Sequence, residues 1–129
     1  MHIVSLKKLP DAEFEIMRSI WHMTEPVTSP MLTEQLRTSL PDKDWKPQTV
    51  LTMLVRLESK GFLRSEKLGK ERNYYTVISE SDYLKIEHDS FMKRFSGSSF
   101  SGLVKALYDG DSISDEEIYE LKEWLDSIK

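Results

Sequence analysis

The sequence predicts a mainly α protein that carries one small β-hairpin, with its helices in two groups. Three observations lead there. Apolar residues recur at three- and four-residue spacing from Asp11 to Lys60, the period changes to two between about Phe62 and Ile78, and helical spacing returns from Ser79 onward.

The first helix fits Asp11 to about His22. Pro10 and Asp11 give it a start, and Phe14, Met17, Ile20 and Trp21 form its apolar stripe. "TEPVTSP" then interrupts. Pro26 stops the helix, Val27 suits a short extended segment, and Thr28 or Ser29 followed by Pro30 opens a second helix to about Leu40. Its apolar side is Met31 or Leu32, Leu36 and Leu40. After the polar turn "LPDKDWK", Pro47 occupies the first position of a third helix, where its fixed dihedral and missing N–H are tolerated. Lys46 falls at the N-cap and cannot accept a hydrogen bond from the free amides. Trp45 and Val50 hold the spacing of a hydrophobic staple that offsets the weak cap. At 100° per residue Val50, Met53, Leu54 and Leu57 share one face, Gln48, Thr52 and Arg56 lie opposite, and Gly61 ends the helix.

Strand formers then dominate two short runs, about Phe62 to Lys67 and Asn73 to Ile78, joined by "LGKER" with Gly69 at the hairpin tip. "SESD" at Ser79 to Asp82 opens a helix to about Phe95, and "SDEE" at Ser114 to Glu117 opens another to about Ile128. Between them Gly97 and Gly102 read as breakers and "LVKALY" as a short apolar helix. The C-terminal helices carry more apolar residues than three helices can cover alone. A helical homodimerisation arm is the economical expectation, with Phe91, Phe95, Leu103, Val104, Leu107, Ile118, Leu121, Trp124 and Leu125 at the joint; the alternative is that these helices fold back onto the first domain. Residues 1–78 are then one domain and residues 79–129 the arm.

Composition restricts the function. There is no cysteine, hence no disulfide, thiolate metal site or cysteine nucleophile, and no apolar run approaches a membrane span. Met1 to Pro10 lacks a secretory apolar stretch, so the expected location is cytoplasmic. His2, His22 and His88 are scattered, the acids from Asp109 to Glu117 lack the pattern of an EF-hand loop, and no phosphate-binding glycine loop or nucleophile elbow occurs. Neither an enzyme nor a metal or cofactor site is expected. The net charge of -4 hides a division: residues 1–78 hold twelve basic against ten acidic residues, and residues 79–129 hold six against twelve. Arg37 to Arg72 alone has nine basic against five acidic residues, a modest cationic footprint.

Three helices followed by a two-stranded hairpin is the layout of a winged helix-turn-helix domain, in which the helix before the hairpin enters the major groove. Gln48 suits adenine, Thr49 and Thr52 suit phosphate or a thymine methyl, Arg56 suits guanine or phosphate, and Leu51 and Val55 are apolar neighbours for thymine methyls. Lys67, Lys70 and Arg72 on the hairpin suit phosphates without reading sequence.

The runs "KPQTVLTMLVRLESKGFL", "LPDAEFEIMRSIW" and "SISDEEIYELKEWL" resemble the BlaI/MecI/CopY family of bacterial penicillinase-type repressors, over nearly the whole chain. The resemblance implies a dimeric winged-helix repressor on a palindromic double-stranded DNA operator of a resistance or stress-response operon. It gives Gln48, Thr49, Thr52 and Arg56 the recognition-helix roles, and Lys46 at the cap of that helix joins them as a candidate DNA-binding residue. The copper-responsive members carry C-terminal cysteine pairs that are missing here. In β-lactam-responsive members cleavage within the arm relieves repression. The matching bond is Ala106–Leu107, and the partner implied is a sensor peptidase. Release by a small ligand, or a winged helix used for protein contact, are the alternatives.

Overall fold

The computed structural model describes residues 6–95 and 100–128. Three helices come first: α1 (Asp11–Trp21), α2 (Ser29–Ser39) and α3 (Pro47–Ser59). The antiparallel hairpin β1 (Leu63–Leu68) and β2 (Glu71–Thr76) follows, and then α4 (Glu80–Arg94), α5 (Phe100–Asp109) and α6 (Asp115–Ser127). No helix among the described residues is long and apolar enough to cross a membrane. The chain divides into two compact units, one ending at Met92 and the other beginning at Lys93.

The first unit closes around one core. Ile16, Met17 and Ile20 of α1, Leu32 and Leu36 of α2, and Val50, Leu54 and Leu57 of α3 are buried with Trp45, Phe62, Leu63, Tyr74 and Tyr83. Phe14 and Trp21 are only partly buried. The centre of the α1 stripe is therefore turned toward Ile16, and Glu13 is buried as well, its carboxylate held by Lys60 Nζ at 2.5 Å. Thr28 caps α2 by accepting from the Met31 N–H at 3.4 Å. Lys46 makes no side-chain cap on α3, while Trp45 and Val50, the staple pair, both lie in the core. Gly61, at φ 89°, ends α3 in a Schellman motif, with the Phe62 N–H donating to the Leu57 carbonyl and the Gly61 N–H to that of Glu58.

The hairpin turn is tighter than its sequence suggests, and the two strands, each six residues long, are shifted toward it. Leu68 pairs with Glu71, so the turn is only Gly69–Lys70, and Gly69 supplies the positive φ such a turn needs first. Val27 pairs with Tyr74 as a one-residue bridge, which ties the extended segment after α1 to β2.

The start of α4 belongs to this unit. Tyr83 is fully buried between the rings of Phe14, Trp21 and Phe62, at centroid distances of 5.6–5.7 Å. Its hydroxyl accepts from the Leu9 N–H at 2.8 Å and donates to Glu87 Oε2 at 2.6 Å. Burial, and then the bond to Glu87, push its pKa well above the tyrosine range.

In the second unit α6 opens with the full capping box expected from "SDEE": the Glu117 N–H donates to Ser114 Oγ and the Ser114 N–H to Glu117 Oε1. Gly102, expected to break the chain, lies inside α5; helical hydrogen bonding on both sides outweighs the modest cost of one interior glycine. Gly97 lies outside the described residues. α5 ends in a second Schellman motif, this time with Asp111 at φ 60° where glycine is usual.

Candidate nucleic-acid interface

With Val50, Leu54 and Leu57 fixed in the core, the 100° step turns Gln48, Thr49, Leu51, Thr52, Val55 and Arg56 outward, and all six are exposed. The uncapped N-terminus adds its partial positive charge at the same end as Gln48 and Thr49. Thr52 differs from the others. Its hydroxyl donates to the Gln48 carbonyl at 3.0 Å, which leaves the oxygen as an acceptor and removes it as a donor to phosphate.

Register decides which way the wing's cations face. Leu63, Ser65 and Lys67 share one face with their partners Thr76, Tyr74 and Arg72, and buried Leu63 and Tyr74 identify it as the core face. Lys67 and Arg72 prolong that face toward the tip and stand directly opposite each other, an arrangement that repels unless an anion intervenes. Arg72 Nη1 also donates to Ser65 Oγ at 3.0 Å, and Ser65 Oγ donates to Glu58 at 2.8 Å. Burial, and then Glu58, raise the pKa of Tyr74 in the same cluster.

The nine basic residues from Arg37 to Arg72 thus differ in how far they are committed. Lys43 and Lys60 bind Glu15 and Glu13 of α1, and Arg37 Nε donates to the Trp45 carbonyl at 3.1 Å. These fasten the helices together. Lys46 has only a loose 3.8 Å approach to Asp44, both exposed. Arg56, Lys67 and Lys70 have no side-chain partner among the described residues, and the same is true of Gln48 and Thr49. The uncommitted cations are therefore on α3 and the wing tip.

Arg64 enters although the sequence had not singled it out, and Val55 gains weight. Arg64 lies on the opposite face of the hairpin, stacked 4.2 Å over the Tyr75 ring with a loose contact to Glu66; strand alternation alone would have placed it there. Val55 is the most exposed apolar side chain of α3 at 62%. Its angular position was available from the same 100° step that singled out Gln48.

The residues expected at the joint between copies are all incompletely buried. Phe91 falls within the first unit, and Phe95, Leu103, Val104, Leu107, Ile118, Leu121, Trp124 and Leu125 in the second. Ala106 and Leu107 are exposed and lie in α5. Nearby, Tyr108 donates to Asp115 Oδ1 at 2.7 Å, a bond that raises its pKa.

The family model described as penicillinase repressor matches residues 9–127. The chain belongs to the penicillinase repressor family. The "Penicillinase repressor" of Bacillus licheniformis is 37% identical over 127 residues, covering 96% of each chain. The "Methicillin resistance regulatory protein MecI" of Staphylococcus aureus (strain N315) is 30% identical over 115 residues, 89% of this chain and 90% of that one. The solution structure of the DNA binding domain of the repressor BlaI superposes with a TM-score of 0.52 at 33% identity, over 63% of this chain and 94% of that one. As a penicillinase-repressor family member the chain is a winged-helix protein, and α1 to β2 is the winged helix-turn-helix that the element order predicted.

Proposed function

We propose that this chain is a DNA-binding transcriptional repressor that occupies a palindromic operator as a dimer, with α3 in the major groove and the β1–β2 wing against the adjacent backbone. The observation that supports this reading best is the division of the cations. Lys43 and Lys60 are neutralised by α1 carboxylates and Arg37 is held by the Trp45 carbonyl, while Arg56, Lys67 and Lys70 are left for phosphate. On this reading the exposed apolar side chains of α5 and α6 meet a second copy, and two-fold symmetry spaces the half-sites by about one helical turn. The working location is the cytoplasm, and no catalytic step is assigned. Relief by a sensor peptidase at Ala106–Leu107 would require α5 to unwind, because both residues are helical and a scissile bond must be presented extended.

Arg56→Ala is expected to weaken operator binding by about 1–3 kcal/mol with the fold intact. Lys67→Ala and Lys70→Ala should each lower the salt slope of binding by about 1. Gel-shift titration across a salt series reads both quantities. Unchanged affinity in Arg56→Ala would remove that residue from the interface, and salt-insensitive binding would favour a protein-contact role.

A further inference from the structure

We propose that the reading face of α3 has an apolar centre, in which Val55, flanked by Leu51, recognises the C5-methyl groups of thymines in the operator half-site. This rests on the operator-binding reading above and assigns to Val55, at the centre of the face, the thymine-methyl contact that residue type alone leaves shared among Thr49, Leu51, Thr52 and Val55.

The geometry of α3 supports it. Gln48, Thr52 and Val55 fall within about 60° of one another around the helix, opposite the buried stripe, with Leu51 to one side and Arg56 to the other. Val55 is 62% and Leu51 39% exposed, while Val50, Leu54 and Leu57 are fully buried. Thr52 adds little polarity, because its hydroxyl proton is committed to the Gln48 carbonyl at 3.0 Å. A helix face seated in the major groove with valine at its centre would leave any amino or carbonyl group opposite it without a hydrogen-bond partner. Among the major-groove edges of the four bases, thymine alone carries an apolar group. The free cations Arg56, Lys67 and Lys70 on the same helix and on the wing fit a polyanion better than an apolar protein surface. Leu51 and Val55 are one helical turn apart, about 6 Å along the axis. That is close to two base steps of about 3.4 Å, so the thymines read should lie within two or three steps of each other.

The test uses the full-length chain and a pool of random-sequence duplexes enriched for binding. The enriched duplex is titrated beside versions in which each thymidine in turn is replaced by deoxyuridine, which removes the methyl and keeps every hydrogen-bonding group. Affinity is expected to fall about three- to tenfold at one or two positions per half-site, the scale of burying one methyl group, and little elsewhere. A Leu51→Ser/Val55→Ser double variant, which replaces both apolar side chains by a hydroxymethyl group, should abolish that difference while circular dichroism and the unfolding midpoint stay nearly unchanged. Equal binding at every deoxyuridine position would overturn the proposal, as would a methyl effect that survives in the double variant. In both cases salt-sensitive binding would leave the operator reading standing. Failure to enrich any duplex would overturn both.

Discussion

The two groups of helices carry similar apolar patterns, yet only the first encloses them. From Leu9 to Tyr83 fifteen hydrophobic side chains are buried in one cluster, whereas α6 buries none and leaves Trp124 and Leu125 at 57% and 46% exposure, with Ile128 just beyond it at 60%. The first unit has three helices, the Val27 bridge, the hairpin and the start of α4 converging on one centre. The second has two helices of ten and thirteen residues, too few to form an interior of their own. An amphipathic pattern therefore says that a face is to be covered and leaves open what covers it. Each region can be perturbed separately.

The largest effect is expected where the core is densest. Tyr83→Ala removes a ring packed by three others and should cost the first unit about 3–5 kcal/mol in chemical denaturation. Tyr83→Phe keeps the ring and loses the oxygen that accepts from the Leu9 N–H, for about 1–3 kcal/mol. Equal denaturation midpoints for the wild-type chain and Tyr83→Phe would mean that water replaces the hydroxyl at Leu9.

The same treatment of the second unit should give the opposite result. A Leu121→Asp/Trp124→Asp double variant has no interior to disrupt, so the unfolding of the first unit should change by less than about 0.5 kcal/mol. Self-association, followed by sedimentation, should weaken by about tenfold or more. A variant that associates like the wild type would show that this face is not the joint between copies.

This contrast also bears on what the sequence disclosed. Period and capping residues located all eight elements, because Pro30, Pro47, Gly61 and the Ser114–Glu117 box act through local geometry that needs no tertiary partner. Tertiary choices were not legible. Tyr83 reads as one more apolar residue of the arm, and only its contacts with α1 and Phe62 place it in the first core. Nothing in the sequence sets Glu13 apart from its acidic neighbours, and its burial becomes tolerable only through Lys60, 47 residues away. At the site, residue types pointed to Gln48, Thr52 and Arg56. That Thr52 has no free donor and Arg72 is tied to Ser65 follows from hydrogen bonds that spacing does not specify.

The smallest effect is a pH dependence that should separate the two units again. Tyr83 has its pKa raised in the folded chain by burial and by the bond to Glu87, so the unfolded state gives up its proton first as the solution becomes alkaline. The stability tied to the protonated hydroxyl is fully present below the unfolded value near 10 and declines above it, by about 1.4 kcal/mol per pH unit for one proton. Tyr74 is displaced in the same direction, first by burial, and adds to the decline. Tyr108 in the second unit is also raised, by its bond to Asp115, but it is exposed and holds no core together. Unfolding of the first unit should therefore become easier above about pH 10, with a shallower slope in Tyr83→Phe than in the wild type. An unchanged slope in that variant would assign the alkaline loss to Tyr74, and with it to the packing of the wing rather than of α4.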